Sequence, residues 1–111
     1  MTERLPTELL VAGYLRQCMT AGIPVYIVHK GAPAAGTVTV RIVLQDKTVK
    51  ILNQSRDMDG NLGWSSPFDS ETVDEPRADQ YIRKVVARDP DVWVIEVENA
   101  DGKNPFEGKT F

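Results

Sequence analysis

The chain has 111 residues and a formal net charge of −3, with 41% hydrophobic and 26% charged residues. These values predict one soluble globular domain and exclude wholesale disorder, a collagen-like repeat and a disulfide scaffold. Because acidic and basic residues are mixed along the chain, we expect no general nucleic-acid binding. No apolar run approaches the roughly 18 residues that a membrane span needs.

Two features of the sequence concern its location. The single cysteine, Cys18, allows no disulfide within the chain, which is typical of a reducing compartment. The first ten residues, MTERLPTELL, lack the basic and apolar regions of an export signal. We therefore expect a cytoplasmic protein.

The first predicted element is an amphipathic helix over residues 6–21. Apolar residues recur in it at helical spacing. Pro6 suits the first turn, and Gly22 suits the position just after the last turn. Cys18 lies on the apolar side of this helix, so we expect a buried thiol and not a nucleophile.

Four strands are predicted next. Residues 25–29 form a β-branched run before the loop KGAPAAG, and residues 37–44 alternate between two faces. The alternation resumes at 49–53 after the polar turn QDK, which predicts a hairpin. The dipeptide DG at 59–60 predicts a second hairpin, leading into a short strand near 62–65.

The second predicted helix begins at Pro76, and its apolar residues repeat at helical spacing. Asp74 or Glu75 can cap its first turn. Pro90 ends the helix, because a proline disfavours helical conformation in the residue before it. The segment VWVIEVE, residues 92–98, then predicts the last strand.

The order helix, four strands, helix, strand predicts an α+β fold. We expect a two-layer sandwich with a mainly antiparallel sheet of about five strands and both helices packed on one face. The whole chain, 1–111, is predicted to be a single domain, with a polar C-terminal tail over 99–111 that could be mobile.

Candidates for catalysis are few. The chain has one histidine and one cysteine, so no Cys/His metal cluster is possible, and we expect neither a metal site nor a cofactor. His29, at a strand end beside a glycine-containing loop, could pair with a carboxylate as a general base. Glu96 and Glu98 follow Pro90-Asp91 as in some metal-dependent nucleases, but Glu98 stands where those enzymes have lysine. Alternation instead predicts both glutamates on a solvated face, where they would attract Arg41 or Lys50.

Basic and aromatic residues on neighbouring predicted strands suggest a binding surface. Arg41 and Lys50, if they are cross-strand neighbours, could combine with Arg56 and Trp64 to bind an anion or a base by charge and stacking. The alternative is an ordinary solvated sheet face.

Three stretches of the sequence resemble one known family: RLPTELLVAGYLRQCMTAGIPVYIVHKG, AGTVTVRI and DPDVWVIEVEN. The chain is similar over residues 4–102 to a family of small uncharacterised proteins, found mainly in alphaproteobacteria and catalogued as a domain of unknown function. The resemblance implies a bacterial cytoplasmic protein and brings no activity, cofactor or catalytic residue with it. Members often have arginine where His29 stands, which argues against a shared catalytic histidine.

The leading functional prediction is a non-catalytic binding or accessory module that acts through an exposed sheet face or edge. Its partner would be a protein or a small anionic ligand, and the protein could be a homodimer. The alternative is a small metal- or histidine-dependent enzyme that acts on a phosphate-containing or nucleotide ligand.

Overall fold

The computed structural model describes residues 5–111. Their elements in chain order are α1 (Thr7–Ala21), β1 (Val25–His29), β2 (Val38–Val43), β3 (Val49–Arg56), β4 (Leu62–Ser65), α2 (Glu75–Arg88), β5 (Trp93–Glu98) and β6 (Lys109–Thr110). The expected lack of an export signal rests partly on residues 1–4, which lie outside the described residues. Within residues 5–111, neither helix has the length and apolar content of a membrane span.

The six strands form one mixed sheet in the order β1-β5-β2-β3-β4-β6. The two predicted hairpins are confirmed, since β2 pairs antiparallel with β3, and β3 with β4. β5 lies between β1 and β2, antiparallel to β1 and parallel to β2. The α+β class is therefore confirmed, with one strand more than expected and with two parallel pairs.

The hydrophobic core has two halves, one on each face of the sheet. On the first face, α1 and the sheet share a cluster of buried residues: Val11, Cys18, Val38, Val40, Ile42, Leu52, Trp64, Trp93, Ile95, Val97 and Phe106. On the second face, α2 packs against another cluster: Val49, Ile51, Val73, Ala78, Ile82, Val85, Val92 and Val94. The structure thus has three layers.

The predicted placement of both helices on one face is wrong, and the composition of the central strands explains why. In β2 five of six residues are buried and in β5 four of six, and the buried residues lie on both faces. In β5, Trp93 and Ile95 belong to the α1 cluster, whereas Val94 belongs to the α2 cluster. A strand with apolar side chains on both sides needs cover on both sides, so the helices separate.

Local signals set the ends of both helices. Gly22 follows α1 in the left-handed conformation, φ 74°, and its N–H donates to the carbonyl oxygen of Met19 at 3.2 Å. Glycine adopts this conformation without strain and commonly ends a helix. At the start of α2, the Asp74 side chain accepts a hydrogen bond from the N–H of Arg77 at 2.9 Å, as an N-cap residue does.

The loop between β1 and β2 lies against the residues that precede β5. A Cβ atom added at Gly31 or Gly36 would come within 2.1 Å of the Asp91 carbonyl oxygen, so only glycine fits at these two positions. The indole N–H of Trp93 donates to the carbonyl oxygen of Ala32 at 2.7 Å. These contacts hold β1 beside β5.

The C-terminal segment, residues 99–111, covers the edge of the sheet at β4, opposite β1. Phe106 is buried and stacks on Tyr14, with 4.2 Å between the ring centroids. The indole N–H of Trp64 donates to the carbonyl oxygen of Glu107 at 2.9 Å. Beyond these anchors, β6 pairs with β4 and adds the last strand.

Candidate functional site

Arg41 is the centre of a charged cluster on the α2 face. Its guanidinium forms an ion pair with Asp79 of α2, and its Nε lies 3.1 Å from Oε1 of Glu96 on β5. Arg41 is only 8% exposed. Glu96 attracts Arg41 as expected, since the two residues are partners in the β2–β5 register. The predicted solvated face is wrong for Glu96, because α2 covers this part of the sheet and leaves the Glu96 side chain only 26% exposed. Two carboxylates thus neutralise the cation inside the fold.

A cavity of about 250 Å³ opens beside this cluster, lined also by Val28, Ile82 and Arg83. The Nε of Arg41 is buried and has no hydrogen-bond partner of good geometry, even though Glu96 is near enough for an ion pair. The cavity therefore has balanced charge and one unsatisfied donor. Its role is best explained as part of the packing between α2 and β5.

The four residues predicted as one binding surface lie in different places. Arg41 pairs with Ile51 and Lys50 pairs with Ile42, so the two basic side chains project from opposite faces. Lys50 forms an ion pair with Glu71 at 3.2 Å. Trp64 is buried in the α1 cluster, and Arg56, at the end of β3, donates to the carbonyl oxygen of Gly60. The structure does not bring these four residues together.

His29 lies at the end of β1, half-buried, with Nδ1 2.8 Å from the carbonyl oxygen of Val92. Because a carbonyl can only accept, Nδ1 is the donor in this contact. No carboxylate within residues 5–111 comes within ion-pair distance of this ring. His29 and the Glu96 and Glu98 carboxylates are therefore not assembled into one site.

In the part of the chain that the structure describes, no group of three or more His, Cys, Asp or Glu residues could hold a metal ion. Glu98 is exposed at the end of β5. Glu96 shares its face but is already engaged with Arg41. The two glutamates therefore have different surroundings in spite of their spacing.

A groove runs along α1 beside the β3–β4 hairpin. It consists of two cavities of about 400 and 550 Å³ that share Leu10 and Leu62. Tyr14 lies in the groove and accepts a hydrogen bond from the side-chain amide of Gln54 at 3.2 Å. Burial raises the pKa of Tyr14, an effect that this hydrogen bond partly opposes. The hydroxyl therefore stays protonated at neutral pH and is a donor and acceptor, not a base.

The open edge of the sheet is β1, and its side chains are unusually apolar for an edge. Tyr26, Ile27 and Val28 are three consecutive large residues with exposed fractions of 52%, 45% and 50%. The strand VYIVH contains no Asp, Glu, Lys or Arg. Charged side chains are a common way of protecting an edge from another strand, and β1 lacks them.

The backbone of β1 also presents free hydrogen-bonding groups. The N–H of Glu98 donates to the carbonyl oxygen of Pro24 at 3.0 Å, so Pro24 points its carbonyl toward β5. Since direction alternates along an antiparallel strand, the N–H and C=O groups of Val25 and Ile27 point away from β5. The N–H of Trp93 donates to the carbonyl oxygen of Thr37, just before β2, at 2.8 Å. The Trp93 N–H thus points toward β2 and the Glu98 N–H toward β1, as alternation along β5 requires. Four backbone groups therefore face outward.

The opposite edge of the sheet is closed by the C-terminal segment. β6 is two residues long and runs parallel to β4. The N–H of Phe111 donates to the carbonyl oxygen of Trp64 at 2.7 Å. Within residues 5–111, one edge of the sheet is thus covered and the apolar edge is open.

Comparisons with known proteins agree with this fold. The model of a family described as proteins of unknown function, DUF1491, matches residues 5–107. The chain belongs to the DUF1491 family. The family resemblance inferred from the helix and strand motifs is thereby confirmed.

Solved structures of DUF1491 proteins have the same fold. A crystal structure of a family member from Caulobacter crescentus has a TM-score of 0.87 and 28% identity, covering 97% of this chain and 100% of that one. An NMR structure of a DUF1491 protein from Caulobacter crescentus gives 0.85 and 30%, with 99% of each chain covered. Protein Atu0922 from A. tumefaciens, at 0.71 and 24% over 87% of each chain, shares the fold. No curated protein matches this DUF1491 chain.

Sequence reasoning about this DUF1491 chain predicted binding through an exposed sheet face or edge but did not identify the strand. Among the described strands β1 pairs with β5 alone, and the two are far apart in the sequence, so no local pattern shows that β1 is an edge. One signal was present: Pro24 directly precedes β1, and proline at the start of a strand is typical of sheet edges.

Proposed function

We propose that this protein is a non-catalytic interaction module of the bacterial cytoplasm that binds an extended polypeptide strand along β1. The observation that carries the proposal is the open edge itself. Three exposed apolar side chains, Tyr26, Ile27 and Val28, stand beside outward-facing backbone groups of Val25 and Ile27. In strand addition, backbone hydrogen bonds supply affinity and alternate side chains supply specificity.

Several features restrict the strand that can bind. The register of β1 against β5 shifts between Ile27 and His29, which marks a β-bulge at Val28. A bulge interrupts regular pairing, so the free run is short and extends from Val25 to Ile27. Tyr26 and Val28 are on the α2 side of β1. An added strand would therefore run beside the cavity that Val28, Arg41 and Arg83 line.

The single cysteine supports a reducing location, and the family's structures from Caulobacter crescentus support a bacterial origin. These observations favour the cytoplasm over an oxidising compartment.

A displayed library of random extended peptides, selected on the immobilised protein, tests the proposal. Selected peptides should perturb the backbone amide signals of β1 and β5 in NMR titrations. Ile27→Pro removes an outward N–H without breaking the β1–β5 ladder, and it should weaken binding at least about tenfold. The matched control is Met58→Lys, at an exposed position on the β3–β4 hairpin, which should leave binding unchanged.

Proline also restricts the backbone of β1, so a second variant is needed. Ile27→Lys keeps the backbone N–H and adds a charge to the edge, which should weaken binding as well. The proposal fails if selected peptides perturb the α1 groove instead of β1, or if they bind both Ile27 variants as well as the parent protein.

A further inference from the structure

Resting on the proposed function, we infer that the strand added to β1 is the β1 of a second copy of this chain. The two strands pair antiparallel about a two-fold axis that passes beside Tyr26. The resulting homodimer has one continuous sheet across both copies. We infer a second copy as the partner because the edge is self-complementary in its hydrogen bonding, its charge and its exposed apolar area.

The hydrogen-bonding groups of β1 match those of its own two-fold copy. Val25 and Ile27 are the residues with outward groups, and a two-fold pairing centred on Tyr26 places Val25 opposite Ile27 of the second copy. Each such pair exchanges two backbone hydrogen bonds, so all four outward groups of each strand gain a partner. A register centred on Ile27 would place Val25 opposite His29, beyond the bulge, and would satisfy fewer groups.

Charge favours contact at this edge over contact elsewhere. Each copy has a net charge of −3, so two copies repel at most surfaces, but β1 has no charged residue. The acidic residues of the neighbouring strand are Glu96, the register partner of Tyr26, which forms an ion pair with Arg41, and Glu98, whose N–H donates to the Pro24 carbonyl oxygen. The two Glu96 residues of the dimer would lie three strand spacings apart, about 14 Å, beyond the Debye length of about 8 Å at physiological salt.

The small exposed area of β1 limits the strength of the association. The side chains of Tyr26, Ile27 and Val28 with the strand backbone of both copies would bury on the order of 800 Å² in total, below the roughly 1,200 Å² of stable specific interfaces. The dimer is therefore weak and reversible. The Tyr26 side chains of the two copies lie opposite each other at a non-hydrogen-bonded position, where cross-strand side chains approach most closely.

Cysteine cross-linking tests the register. In a Cys18→Ser background, Tyr26→Cys would place two thiols on the axis, with Cα atoms about 4.5 Å apart, within the range of a disulfide. A mild oxidant should therefore cross-link two copies. Ile27→Cys is the matched control, because its Cα atoms would be more than about 7 Å apart and should resist cross-linking. Equal cross-linking of the two variants would overturn the register.

Analytical ultracentrifugation tests the association itself. The parent protein should show a monomer–dimer equilibrium, which Tyr26→Lys should abolish by placing two like charges opposite each other. Phe111→Lys, exposed at the covered edge, should leave the equilibrium unchanged. A dimer that persists in Tyr26→Lys would overturn the inference.

The two proposals fail separately. If the protein is monomeric up to about 1 mM, where binding free energy is only about 4 kcal/mol, while selected peptides still bind β1, the partner is another protein and only the dimer is refuted. If neither peptides nor a second copy bind β1, the proposed function is refuted as well.

Discussion

Arg41 offers a direct test of how charge is accommodated inside the sheet. Replacing it by methionine removes the guanidinium and keeps most of the side-chain volume. Glu96, whose side chain is 26% exposed, then loses its ion-pair partner. Removing one member of a buried pair costs about 3–5 kcal/mol. Because water still reaches Glu96 and the half-exposed Asp79, we expect Arg41→Met to lower the free energy of unfolding by about 1–3 kcal/mol.

A second substitution shows whether the loss comes from the unpaired carboxylate. Replacing a buried ion pair by apolar residues of similar volume is often nearly neutral. Arg41→Met with Glu96→Leu should therefore be within about 1 kcal/mol of the parent protein, and more stable than the sum of the single effects predicts. Arg83→Met is the control, since Arg83 is exposed and lines the same cavity; its effect should stay within about 0.5 kcal/mol.

Urea unfolding followed by tryptophan fluorescence measures these differences, because Trp64 and Trp93 are both buried in the folded protein. The reasoning is refuted if Arg41→Met alone is neutral, or if the double variant is as unstable as the two single effects added together. A change in the denaturant dependence would instead indicate a change in the compactness of one state.

Two further predictions concern the α1 side of the core. Phe106→Ala should lower the free energy of unfolding by about 3–4 kcal/mol in urea titrations, because Phe106 is buried against Tyr14. Phe111→Ala, at a half-exposed ring, should cost less than about 1 kcal/mol, and equal losses would contradict the assigned packing. Burial raises the pKa of the Cys18 thiol, so less thiolate is present at a given pH; native protein at pH 8 should react with a disulfide reagent about 100-fold more slowly than unfolded protein. Rapid reaction of the native protein would show that Cys18 is accessible.

The elements that the sequence predicted well depend on short-range signals. The end of α1 depends on Gly22, and the start of α2 depends on Asp74. The β2–β3 and β3–β4 hairpins depend on polar turns of a few residues. In each case the residues that determine the structure lie within one turn of it, so no tertiary contact is needed to recognise them.

Strand order and helix placement depend on contacts that the local pattern does not contain. β5 lies between β1 and β2, which joins segments separated by most of the chain. The apolar residues Val92 and Val94, next to Trp93 and Ile95, already indicated a strand buried on both faces. An interpretation based on alternation alone gave too little weight to this signal and placed both helices on one side.

The binding surface predicted from Arg41 and Lys50 requires a β2–β3 register shifted by one residue from the observed register. The turn between β2 and β3 is closed by a hydrogen bond from the Leu44 N–H to the Thr48 carbonyl oxygen at 2.9 Å. This turn sets Arg41 opposite Ile51, so Lys50 faces the other way. A shift of one residue moves a whole set of side chains to the other face. The turn geometry that sets the register is not evident from the sequence pattern.

The open edge differs from these features, because it is defined by backbone contacts that residues 5–111 do not make. The covered edge is closed by β6, which Phe106 and Trp64 anchor, so a terminal segment can protect a strand in this fold. β1 has only a proline before it and a bulge near its end. Pro24 faces β5 and does not limit the outer side, but the N–H of Ile23 already donates to the Cys18 carbonyl oxygen at 2.8 Å, and the bulge follows Ile27, so regular outward pairing extends from Val25 to Ile27. A strand added as proposed would therefore have few registers in which all four outward backbone groups of β1 are paired, and this restriction favours specific binding.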